Sequence, residues 1–98
     1  MFYIKSIATK LIDDSTYPEI VLLHFCDTNG KNHEFLEKWP IVSNKEFTNI
    51  FPVDCAIGCI LLEEKENSYI VSTSKPWCIE SEDGLTTFEI DKKLLYKE

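Results

Sequence analysis

Turn chemistry interrupts this chain so often that no room is left for a long helix. Asp13-Asp14-Ser15-Thr16-Tyr17-Pro18, Thr28-Asn29-Gly30-Lys31, Glu64-Lys65-Glu66-Asn67-Ser68, Ser74-Lys75-Pro76 and Asp83-Gly84 each gather residues that fix φ, accept positive φ or bond their own backbone. The runs between them are short, rich in β-branched and aromatic side chains, and without helical periodicity. This predicts an all-β domain with at most one short helix: an antiparallel β-sandwich or a half-open β-barrel of about seven strands. The 98 residues show no repeat and no linker, so a single domain over 1–98 is expected.

The first run, Phe2 to Ile12, puts Ile4 and Ile7 on opposite faces, which predicts a bulge near Ser6. Glu19 to Asp27 and Asn32 to Leu36 flank Asn29-Gly30, the strongest short hairpin signal. A two-residue loop there sets Cys26 opposite His33 and His24 opposite Phe35. Ser43-Asn44-Lys45-Glu46 fits a capping box ahead of Phe47, Ile50 and Phe51. It predicts a turn or two of helix ended by Pro52, or else a structured loop. Cys55 to Glu63 is apolar almost throughout and predicts a central strand covered on both sides, with Gly58 marking a bulge or a close backbone approach. Tyr69 to Thr73 returns as a further strand. In the tail, Leu94, Leu95 and Tyr96 are expected to cover an edge or end the core.

The tract Trp77 to Ile90 predicts a second hairpin around Asp83-Gly84. In that register Trp77, Ile79, Phe88 and Ile90 share an oily face and enter the core, while Glu80, Glu82, Thr87 and Glu89 share a polar one, with Cys78 among them. Three carboxylates on one face without an interleaved Lys repel one another, a cost that a cationic partner relieves. The plain alternative is an acidic face that meets only water.

Charge supports the first reading. The formal net charge is −7. Asp54, Glu63, Glu64, Glu66, Glu80, Glu82, Asp83, Glu89 and Asp91 face only Lys65 and Lys75, so the stretch they span carries an excess as large as the whole chain's. Such a field repels nucleic acid and anionic membranes and attracts basic partners. All the basic residues are Lys; without Arg there is no bidentate fork for phosphate or guanine. Met1-Phe2-Tyr3-Ile4-Lys5 is not a signal peptide and no run has membrane-span length, so a cytoplasmic protein is expected.

Catalytic motifs are missing. Neither G-x-S-x-G nor a Gly-rich phosphate loop occurs, and the adjacent acids Glu63-Glu64 and Asp13-Asp14 point to opposite faces of a strand. Cys26, Cys55, Cys59 and Cys78 form no CxxC pair and read as reduced. His24, Cys26 and His33 would share one face of the first hairpin, an incomplete zinc shell whose fourth ligand must come from Glu37 or another Cys. They are weak metal candidates, and no cofactor is expected.

In size, acidity and lack of targeting or catalytic motif, and in the acidic tract Lys75 to Ile90, the chain resembles the small acidic immunity proteins of interbacterial toxin systems. The resemblance is one of character and carries no diagnostic motif. It implies a non-enzymatic inhibitor that binds and neutralises a basic protein toxin, a nuclease by preference. The expected contact set is Glu80, Glu82, Glu89 and Thr87, with Glu63 and Trp39; Trp39, in a loop-like stretch, is expected either as core or rim packing or as an exposed interface anchor. The alternative is a small-ligand or metal-binding regulatory β-barrel.

Overall fold

Two long strands carry the architecture. In the computed structural model, which describes residues 1–13, 15 and 17–98, β1 (Phe2–Asp13) and β4 (Val53–Glu64) pair antiparallel, Phe2 opposite Cys59 and Ala8 opposite Val53. Asp14 and Thr16, in the turn expected at 13–18, lie outside the described residues. Each long strand outruns the other, and each overhang finds its own partner. From Ile7 onward β1 pairs β2 (Ile20–Cys26), which pairs β3 (Asn32–Lys38). From Ile60 onward β4 pairs β5 (Ser68–Ser72), which pairs β6 (Thr87–Asp91). A 3-10 turn (Lys92–Leu94) then leads into β7 (Leu95–Lys97), which caps the edge of β1 at Phe2–Ile4. The order is β3-β2-β1-β4-β5-β6, with β7 on β1, in one antiparallel sheet strongly curled into a half-barrel. No helix among the described residues is long and apolar enough to cross a membrane.

Alternation along the strands builds the core. Ile4 and Ala8, Val21, Leu23 and Phe25, Phe35, Cys55, Ile57 and Cys59, Val71, Phe88 and Ile90 all point into the half-barrel and are buried. Phe25, Phe35 and Phe88 interlock with centroids 5.2–5.8 Å apart. Pairs of this kind add about 0.5–1.5 kcal/mol each beyond the area they bury. The expected bulge near Ser6 does not form. Ser6 stays in register opposite Cys55, buried, with its hydroxyl donating to the Ile4 carbonyl at 3.1 Å. The irregularities in β1 come later, at Ala8/Lys10 and Leu11/Asp13. β4 is not covered on both faces as expected: on its outer face Asp54, Ile60 and Leu62 are exposed and Ala56 is half-buried.

The segment after β3 also differs from expectation. A single helical turn, α1 (Trp39–Val42), forms with Pro40 near its start, and Ser43 ends it. The Ser43 side chain turns to the Lys45 amide two residues on, at 3.1 Å, so it caps a local turn and starts no helix at 43–46.

β3 and β6 are the ends of the sheet, and the seam between them is closed by other means. The Thr28 amide donates to the Glu89 carbonyl at 3.0 Å, and the Glu82 amide to the Glu34 carbonyl at 2.8 Å. Ile79, from the long loop between β5 and β6, is fully buried.

Candidate functional site

The expected hairpin over 77–90 is replaced by a loop. Thr87–Asp91 takes β5 as its partner, with Ser72 opposite Thr87, and leaves 73–86 without a ladder of its own. Residue 78 shows why the first half cannot be a strand: Cys78 has φ +54°, which turns the chain. The loop is nevertheless pinned. The Thr73 amide donates to the Thr86 carbonyl at 2.8 Å, the Ile79 amide to the Thr73 carbonyl at 2.9 Å, and the Thr73 hydroxyl to the Ile79 carbonyl. Ser81 is buried, and its hydroxyl accepts the Leu85 amide at 3.1 Å.

The acids therefore sort differently. Glu80, Glu82 and Asp83 project from the loop, exposed, while Ile79 before them and Ser81 among them point inward. The Glu82–Glu34 backbone bond lays this loop on β3 and brings exposed Glu34 to it. Glu34 was missed because docking of a loop on a distant sheet edge leaves no local signal. Glu89 belongs to another neighbourhood. It accepts the Ser68 hydroxyl at 2.6 Å and stands 3.6 Å from Lys65, and it is only half-exposed. The Ser68 hydroxyl holds its carboxyl below the ordinary range against a smaller effect of desolvation, and Lys65 adds to the lowering. Thr87 and Glu63 are exposed on β6 and β4, opposite Ser72 and Ile70.

The two tryptophans differ in burial. Trp39 is buried, with its indole N–H donating to the Lys45 carbonyl at 2.6 Å, and so cannot be an exposed anchor. Trp77, expected in the core, is 52% exposed.

The first hairpin is displaced by one residue from its expected register. Phe25 lies opposite His33 and Cys26 opposite Asn32, because the loop is Thr28-Asn29-Gly30 with Gly30 at φ +78°. The shift turns His33 into the core, between Phe25 and Phe88, and leaves His24 and Cys26 on the outer face, where Asn32 Oδ1 meets His24 Nδ1 at 2.8 Å. The three supposed zinc ligands are thus divided between two faces. No group of three or more His, Cys, Asp and Glu among the described residues is placed to hold a metal ion.

Inside, His33 Nε2 lies 2.8 Å from Asp27 Oδ2, while buried Nδ1 has no partner among the described residues. Asp27 Oδ1 accepts the Asn29 amide at 2.8 Å and the Lys31 amide at 3.0 Å. Desolvation works to raise the Asp27 carboxyl, but the hydrogen bonds from His33 and from the two amides together outweigh it and hold it below the usual range. Outside, His24 and Cys26 line an open cleft of about 470 Å3 with Lys5, Asp91 and Lys93.

The two buried thiols are not activated nucleophiles. Burial pushes Cys59 up to about 12, and burial with the Asp54 charge pushes Cys55 up to about 11, so both remain thiols. Cys26 and Cys78 are exposed.

No family model, curated protein or solved structure matches this chain.

Proposed function

We propose that the chain is a cytoplasmic binding protein that holds and neutralises a basic protein, in the manner of an immunity protein, through the acidic loop 80–83 and the adjoining Glu34. The observation that carries this reading is the contrast along the loop. Its carboxylates, Glu80, Glu82 and Asp83, stand in water while the residues between and beside them, Ile79 and Ser81, are locked into the core. A charged loop fixed in advance loses little conformational freedom on binding. Its field, added to the net charge of −7, steers a cationic partner. Lys31 approaches Asp83 at 3.8 Å, but both groups are largely exposed and the pair offsets little of that field. A nuclease is the favoured toxin class, because a cleft that accepts a polyanion is itself cationic.

The test is affinity capture with the purified chain, followed by co-expression of what is retained. The expected result is a basic protein that elutes as salt rises and whose toxicity the chain suppresses. Retention of no basic protein, or complete indifference to salt, contradicts the reading. The cleft beside His24 and Cys26 supports the alternative of a small-ligand site on a regulatory β-barrel. A saturable ligand shift in thermal stability, lost on His24→Ala, favours that alternative.

A further inference from the structure

A row of aromatic rings crosses the outer face of the sheet, far from the needs of the core. Tyr3 lies opposite Tyr96 across the β1–β7 pair, and the two rings stack with centroids 5.5 Å apart and planes 24° from parallel. On its other side Tyr3 lies opposite Gly58 of β4. Gly58 extends the row by having no side chain of its own. A Cβ at this position would stand 2.9 Å from Trp77 Cδ1 and 3.0 Å from Nε1, so the indole rests directly on the glycine backbone. Trp77 is held in place and still half-exposed.

These rings form one wall of an open cleft of about 340 Å3, and the chain from Pro40 to Lys45 forms another. Three charged residues line it: Asp54, Glu98 and, with opposite sign, Lys45. No cation of the chain pairs with Asp54 among the described residues. Burial, then the Glu98 charge and Tyr3, push the Tyr96 phenol up, so its ring stays neutral. Aromatic faces and an unpaired carboxylate that line one cleft, on a protein of strongly negative charge, suit a flat cation. A guanidinium stacks flat on indole and phenol faces while its in-plane N–H groups reach a carboxylate; an ammonium can meet a ring and a carboxylate together, as Lys92 does with Tyr69 and Glu64, but has no flat face to stack.

We propose that this cleft binds a guanidinium group, presented by an arginine of a basic protein partner. The source of the arginine rests on the function proposed above, but the cleft can be tested without any partner. The probes are N-acetyl-arginine amide, N-acetyl-lysine amide and the uncharged isostere N-acetyl-citrulline amide. The readout is the indole N–H resonances of Trp77 and Trp39 in two-dimensional NMR. The arginine probe is expected to shift Trp77 saturably and leave buried Trp39 unmoved, with the lysine probe weaker and the citrulline probe weakest. Trp77→Leu should abolish binding, read at the backbone amide resonances of Ile41 and Ala56 in the cleft because this variant lacks the reporting indole. Asp54→Asn should weaken it about two- to fivefold, the range of one exposed charged contact, and Lys45→Gln should strengthen it. Gly58→Ala should weaken it by displacing the indole, with a dispersed spectrum showing that the fold persists. Equal binding of the citrulline probe, no saturable shift at Trp77, or an unchanged affinity in Asp54→Asn would each overturn the proposal. Arginine binding here, combined with a partner indifferent to charge reversal in the acidic loop, keeps the cleft and removes the acidic-loop reading. The opposite combination removes the cleft alone.

Discussion

Two turns of this molecule share one backbone plan and differ in what their first residue does. In Asp27–Lys31 and in Ser81–Leu85 the first amide donates to the last carbonyl, and the glycine amide donates back to the first carbonyl. Both glycines have φ +78° and are third in their loops. The first side chain accepts the last amide in each, from Lys31 to Asp27 and from Leu85 to Ser81. Asp27, however, also accepts the Asn29 amide and meets His33, so one carboxylate joins a turn to a buried ring. Ser81 closes only its own turn. The comparison explains why one turn can anchor the core end of the half-barrel while the other presents charge to solvent.

Substitution at the two first positions should separate these roles most strongly. Asp27→Ala strands two amides and the His33 Nε2, and should destabilise the fold by about 2–4 kcal/mol. Ser81→Ala strands one amide and should cost about 0.5–1.5 kcal/mol in urea unfolding. Similar losses would mean that the His33 contact adds nothing.

The glycines should instead behave alike. A Cβ at Gly30 or Gly84 meets nothing within 4 Å, so Gly→Ala tests only the left-handed backbone. Each should cost about 1–2 kcal/mol. A marked difference between them would show that one turn relaxes and the shared plan is false.

Acid provides a finer distinction. The Asp27 carboxyl is lowered in the fold, so its stabilisation is complete above the unfolded value of about 4 and is lost as pH falls through the folded value. Wild type should therefore lose stability in that acid window relative to Asp27→Asn. Ser81→Ala should run parallel to wild type over the same range. A parallel Asp27→Asn curve would break the assignment.

The same two turns show what the sequence could and could not reveal. β-Branched and aromatic runs between turns made the all-β class and most strands legible; of the two roles open to Leu94, Leu95 and Tyr96, the edge role falls to Leu95 and Tyr96. Reading Asn29-Gly30 and Asp83-Gly84 as two-residue loops misplaced both turns. The missing signal was an Asp or Ser three residues before the glycine, whose side chain favours the longer loop. That single residue turned His33 away from the face of His24 and Cys26 and into the core. Pairing of β6 with β5, and the docking of 79–85 on β3, depend on residues distant in the chain and have no local signature. Trp77 is similar: its seat is the bare backbone of Gly58, and neither residue alone indicates the other. In the candidate site, exposed Glu80 and Glu82 were legible from charge, whereas their neighbour Glu34 and the separation of Glu89 required the fold.

The central claim is that the pinned acidic loop is a binding surface. Its most direct test is calorimetry of the captured partner with wild type and with the triple variant Glu34→Lys/Glu80→Lys/Glu82→Lys, checked by circular dichroism for an intact fold. The account predicts affinity weaker by roughly tenfold to a hundredfold, as expected when several steering and contact charges change sign. An unchanged Kd in the folded triple variant would contradict it.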